Sequence, residues 1–83
     1  MNVKVLGPGC ANCKKLYAEV EKAVAHAGLP ITLEKIERID EILKLGVMMT
    51  PALIIDGEVK CSGRVALVPE IVSWIMTAAV KSE

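Results

Sequence analysis

The chain has 83 residues, enough for one small domain with a modest core and too few for a second. Its ten Lys and Arg residues balance ten Asp and Glu, so no charge excess draws it to nucleic acid, an anionic membrane or an acidic substrate. Over half of the residues are apolar yet only Tyr17 and Trp74 are aromatic, which makes the core aliphatic and leaves no platform for stacking bases.

Asn2 to Leu6 alternates in strand fashion, and Gly7-Pro8-Gly9 then turns the chain sharply. Met1 runs straight into this strand pattern, without the basic segment and long apolar stretch of a secretory leader, so a cytoplasmic protein is expected. The longest apolar stretch, Val47 to Ile55, is interrupted by Thr50 and Pro51 and is too short to span a bilayer.

Cys10-Ala11-Asn12-Cys13 follows the turn and sets two thiols one helical turn apart. A helix starting near Cys10 aims its free N–H groups at the first sulfur. Leu16, Val20, Ala23, Val24 and Ala27 mark one face of that helix, with Lys14, Lys15, Glu21 and Lys22 mostly elsewhere. Gly28 suits its C-terminal cap, and Pro30 stops it from continuing. One turn back from Leu16 the apolar stripe reaches Cys13, which places that sulfur on the buried side and Cys10 at the open end. His26 lies several turns away and reads as a solvated residue favoured by the helix dipole.

Zinc half-sites, copper chaperone loops and redox disulfides all use a C-x-x-C pair. A four-ligand zinc site would have to draw on Cys61 and His26, with no second C-x-x-C or H-x-x-x-H, so no metal is assigned. In a reducing cytosol three cysteines are not a disulfide scaffold, and a pair so placed suggests thiol redox chemistry.

Ile31 to Ile36 reads as a strand, and Ile39, Ile42 and Leu43 return to helical spacing before Gly46, although Glu37 and Arg38 offer no good N-cap. Ala52 to Ile55, Asp56-Gly57 and Glu58 to Cys61 form a hairpin signal. An undistorted two-residue turn pairs Ile55 with Glu58, Ile54 with Val59, Leu53 with Lys60 and Ala52 with Cys61. Cys61 reads first as a small buried apolar residue. This register would also set it near the redox pair, on the face of Ile54 and Val59, where it could react under oxidative stress. Pro69 and Glu70 open a last helix that turns Ile71, Trp74, Ile75 and Ala78 inward.

The order β-α-β-α-β-β-α predicts an α/β fold over residues 1–83: one four-stranded mixed sheet with helices on both faces. Its first βαβ unit is a right-handed parallel crossover and its last pair of strands is antiparallel.

Gly9-Cys10-Ala11-Asn12-Cys13-Lys14 and Gly46-Val47-Met48-Met49-Thr50-Pro51-Ala52-Leu53 resemble two segments of the thioredoxin-like superfamily, in particular its small, glutaredoxin-sized redox-active disulfide proteins. The likeness covers almost the whole chain and implies a minimal thioredoxin-like fold. It implies that Cys10 is the nucleophile, Cys13 the resolving thiol and Pro51 a cis residue facing them, with Thr50 offering its backbone to an incoming substrate strand. Gly9, Asn12 and Lys14 are the supporting positions. The implied partners are disulfide-bearing proteins or small molecules and an electron-donating reductase. The implied protein is a monomer without a cofactor.

The chain departs from that family at three places. Ala11-Asn12 replaces the Gly-Pro usual in thioredoxins and the Pro-Tyr usual in glutaredoxins. Lys4 stands where thioredoxins keep a buried carboxylate. Cys61-Ser62-Gly63-Arg64 replaces the glutathione-holding turn of glutaredoxins.

Helix N–H groups, the helix dipole and Lys14 all favour a thiolate at Cys10, although Lys14 and Lys15 also read as a solvated helix face. Met48 and Met49 would supply apolar surface around the dithiol. A heavy-metal-associated domain is the rival reading, because its G-x-x-C-x-x-C loop also links a first strand to a first helix. That fold needs two strands between its helices, where Ile39 to Leu45 reads helical, and usually has Met where this chain has Pro8. A non-catalytic, redox-dependent binding module would use the same pair without turnover.

Overall fold

The computed structural model describes residues 1–81. Strand β1 (Asn2–Leu6) runs parallel to β2 (Thr32–Ile36), joined through helix α1 (Ala11–Ala27). Helix α2 (Ile39–Lys44) leads to β3 (Ala52–Ile55), which turns into β4 (Glu58–Ser62) before helix α3 (Val68–Lys81). The sheet order is β2-β1-β3-β4, with β3 antiparallel to both of its neighbours. The predicted element order and mixed sheet are both present, and they form a minimal thioredoxin-like fold.

Local chemistry explains the helix ends. Cys10 is the N-cap of α1, and its sulfur accepts the N–H of Cys13, as a serine or aspartate oxygen would. Gly28 closes the helix at φ 66°, a left-handed conformation that costs glycine nothing. At α2 the cap residue Arg38 makes no side-chain capping bond, in keeping with the poor start signal.

Alternation along β1 divides the core. Val3 and Val5 stand beside Leu53 and Ile55 on the face covered by Leu16 and Val20 of α1 and by Ile71 and Ile75 of α3. Leu6, Ala52 and Ile54 occupy the opposite face with Ile42 and Val47. All four residues of β3 are buried because both faces above it are covered. Trp74 packs half-buried against the larger cluster, with the Arg64 guanidinium 5.8 Å from its ring. Arg64 also forms a two-pronged ion pair with Glu70 at 2.9 and 3.1 Å, which ties the loop after β4 to α3.

The hairpin corrects one expectation. Asp56 and Gly57 have φ of 47° and 85°, as a two-residue turn of the right-handed strand twist requires. Ile55 pairs with Glu58 and Ile54 with Val59, but the ladder then shifts, so that Leu53 faces Cys61 and Ala52 faces Ser62. The expected Ala52–Cys61 pairing is therefore wrong by one rung. Cys61 joins the cluster under α1 and α3, on the face opposite Ile54 and Val59. The physical reason is Lys60. A regular ladder would press its charge against the fully buried Leu53, whereas the bulge leaves it out of register and paired with Glu58 at 2.8 Å.

No helix among the described residues is long and apolar enough to cross a membrane.

Candidate active site

β1 lies between β2 and β3, so the turn at residues 7–9 leaves the sheet from an interior strand. The Gly7 N–H still bonds to the Ile36 carbonyl at 2.9 Å, which anchors the turn to β2. The chain then rises directly into α1. The first cysteine consequently stands at the rim and the second beneath it: Cys10 is exposed, and Cys13 is 2 % exposed.

The two sulfurs are 2.6 Å apart, and the Cys13 N–H donates to the Cys10 sulfur at 3.3 Å. These contacts split the acidity of the pair. The side-chain hydrogen bond from Cys13, followed by backbone N–H groups at the helix start, holds the Cys10 thiol below the ordinary cysteine range. Burial pushes Cys13 up, and its hydrogen bond to Cys10 adds to the rise. Lys14 and Asn12 are exposed on the first turn, and Asn12 contributes its backbone N–H to Cys10.

Gly7 makes room for Cys13. A Cβ on Gly7 would overlap the Cys13 sulfur and lie 2.9 Å from its Cβ, and it would stand 3.8 Å from the Thr50 Cβ. The missing side chain thus brings the C-x-x-C helix and the Thr50-Pro51 segment together, although the sequence marks Gly7 only as part of a turn. Gly9, at φ 99°, is confined to glycine by its backbone, and the Glu37 carboxylate lies 3.5 Å from its Cβ direction.

The Thr50–Pro51 peptide bond is cis, and Pro51 is buried. Its carbonyl accepts the Gly63 N–H at 2.8 Å, which joins the segment to the end of β4. Thr50 itself makes no hydrogen bond to any other described residue through its N–H or carbonyl. Two unpaired backbone groups therefore stand just ahead of β3, on the segment that meets Cys13 across Gly7. Ser62 donates from its hydroxyl to the Met49 carbonyl at 2.7 Å, a contact across thirteen residues that no sequence signal indicated.

The surface on the α2 side of this point is apolar. A groove of about 190 Å³ runs between Pro8, Ile39, Leu43, Val47 and Met48 and reaches Thr50. Met48 is 88 % exposed, so its side chain lies open along the groove rather than filling the core. Other residues fall away from the site. His26 is exposed near the far end of α1, and Lys4 is half-buried on the α2 face in register with Glu34 and Ile54. Among the described residues no three His, Cys, Asp or Glu side chains gather as a metal site.

A heavy-metal-associated domain does not fit this topology, because one helix and no strand pair separates β2 from β3. Comparison with known proteins agrees with the geometry. The profile of a thioredoxin domain matches residues 1–76. A thioredoxin from Methanothermobacter thermautotrophicus (strain Delta H) is 42 % identical over 71 residues, which cover 86 % of this chain and 92 % of that protein. With a dithiol at the start of α1 and a cis-proline at the start of β3, the chain belongs to the thioredoxin family of thiol-disulfide oxidoreductases.

Proposed function

We propose that the protein exchanges its Cys10–Cys13 dithiol with disulfides of protein substrates through a mixed disulfide. The observation that carries this reading is the division of the pair: an exposed sulfur whose thiolate is favoured, above a buried one whose thiol is favoured. The Cys10 thiolate attacks one sulfur of the substrate disulfide, forming an intermolecular S–S bond and releasing the other substrate sulfur as a thiolate, which takes up a proton. Cys13 loses its proton and attacks the Cys10 sulfur. The second substrate thiolate leaves, and the Cys10–Cys13 disulfide closes. A reductase that donates two electrons and two protons restores the dithiol, and the same steps in reverse oxidise a substrate dithiol.

Thr50 supports protein substrates, because its unpaired N–H and carbonyl, in the segment just ahead of β3, can pair with the backbone of an extended substrate. The apolar groove beside Met48 supports them further, since it suits a side chain flanking the substrate cysteine better than the charged ends of glutathione.

A Cys13→Ser variant incubated with an oxidised protein substrate should accumulate a covalent adduct on Cys10, read by peptide mass spectrometry before and after reduction. An adduct on Cys61 in its place, or turnover as fast as wild type, would sink the reading. Multiple turnovers of insulin disulfides by the wild-type protein with an NADPH-linked reductase distinguish catalysis from a redox-dependent binding module.

A further inference from the structure

We propose that Ser62 is a positioning residue for substrate, acting through the Met49 carbonyl on the Thr50 N–H. The inference rests on the reading of Thr50 as the backbone that pairs with substrate. Ser62 is the last residue of β4 and lies opposite Ala52, on the second rung beyond the bulge. Its hydroxyl donates to the Met49 carbonyl at 2.7 Å, a good O–H···O distance.

That carbonyl belongs to the same peptide plane as the Thr50 N–H. The plane is rigid, and in its trans form the carbonyl and the N–H point in opposite directions. Holding the Met49 oxygen toward β4 therefore turns the Thr50 N–H away from β4, and this N–H has no partner among the described residues. Without the Ser62 bond, no hydrogen bond from a described residue would hold this plane.

A second contact fixes the same segment. Gly63 has φ 81°, and a Cβ there would come within 3.0 Å of the Met49 Cε and 3.5 Å of its Cβ. The Met49 side chain thus lies over the bare glycine while the Ser62 hydroxyl grips its carbonyl. The Gly63 N–H to the Pro51 carbonyl, at 2.8 Å, adds a third attachment to the end of β4, so that two contacts at Met49 and one at Pro51 flank Thr50. The bulge at Lys60 makes this possible, because one extra residue in β4 brings Ser62, rather than Cys61, opposite Ala52.

The test compares a substrate that can pair with Thr50 against one that cannot. Wild type, Ser62→Ala and Ser62→Thr are assayed with insulin and with 5,5′-dithiobis(2-nitrobenzoic acid), a small aryl disulfide that has no peptide backbone. Ser62→Ala should raise KM for insulin about three- to tenfold, the loss of one pre-aimed neutral hydrogen bond, with kcat little changed. Its rate with the aryl disulfide should equal that of wild type, and Ser62→Thr, which keeps the hydroxyl, should restore the insulin KM. An unchanged insulin KM in Ser62→Ala, or equal losses with both disulfides, would overturn the positioning role while leaving the Thr50 reading in place. Wild-type protein that reduced the aryl disulfide but not insulin would instead remove the Thr50 reading, and this inference with it.

Discussion

The two faces of the sheet are built for different ends. Under α1 and α3, Val3, Val5, Leu16, Leu53, Ile71 and Ile75 are closed from solvent in one aliphatic cluster. The opposite face has only the six-residue α2 above Leu6, Ala52 and Ile54, and there Ile39, Leu43 and Met48 remain exposed. Apolar area removed from water stabilises the fold, whereas apolar area left open is available to a partner. The first face thus holds the domain together, and the second presents a surface for recognition. The dithiol sits where the two meet, with Cys13 buried and Cys10 at the rim.

The largest expected effect tests that placement. Cys10→Ser should abolish disulfide reduction while leaving the fold intact, because the exposed sulfur carries chemistry and almost no packing. In the reduced wild-type protein, iodoacetamide should label Cys10 before Cys13. Only the thiolate reacts, and a pKa below the ordinary value keeps Cys10 ionised at lower pH, while the raised pKa of Cys13 keeps it protonated. As pH rises, labelling should therefore turn on at Cys10 first. Faster labelling of Cys13 at neutral pH would reverse the assignment.

A paired truncation sharpens the contrast between faces. Ile75→Ala, in the closed cluster, should destabilise the protein by about 2–5 kcal/mol in urea melts. Leu43→Ala, on the open face, should change stability by about 0.5 kcal/mol or less, while raising KM for a protein disulfide. Similar stability losses in both variants would mean that the α2 face is core after all.

Gly7→Ala probes the junction of the two faces. The added methyl must displace the Cys13 side chain, so a loss of about 1–3 kcal/mol is expected, with slower resolution of the mixed disulfide. Wild-type stability and kinetics would show that Cys13 can move without consequence.

Cys61→Ser should have the smallest effect on activity. Cys61 is 7 % exposed, and burial pushes its thiol up, so it is packed rather than reactive. Most of the reductase rate should survive, at a cost of about 1–3 kcal/mol for placing a hydroxyl in an apolar site. A rate loss equal to that of Cys10→Ser would contradict this.

Much of this was legible in the chain because its signals are local. The stripe from Leu16 to Ala27, the Gly28 cap and the alternation of β1 each depend on residues a few positions apart. So does the order of Cys10 and Cys13 on the first turn of α1, whose spacing alone predicts one sulfur outside and one inside. The Asp56-Gly57 turn was equally clear. Its register was legible for only two rungs, because strand pairing has a period of two and one extra residue reverses every face beyond it.

The sequence by itself determined the element order, the apolar faces and the paired thiols, because helical and strand periods and turn residues encode them at short range, whereas the cis form of Pro51 was expected only from the resemblance to the thioredoxin-like superfamily. The tertiary structure alone decided the rung and face of Cys61, the close fit of Gly7 to Cys13 and the grip of Ser62 on Met49. Those outcomes depend on where a charged Lys60 can avoid the core and on contacts between distant segments, whose free energies no local pattern carries.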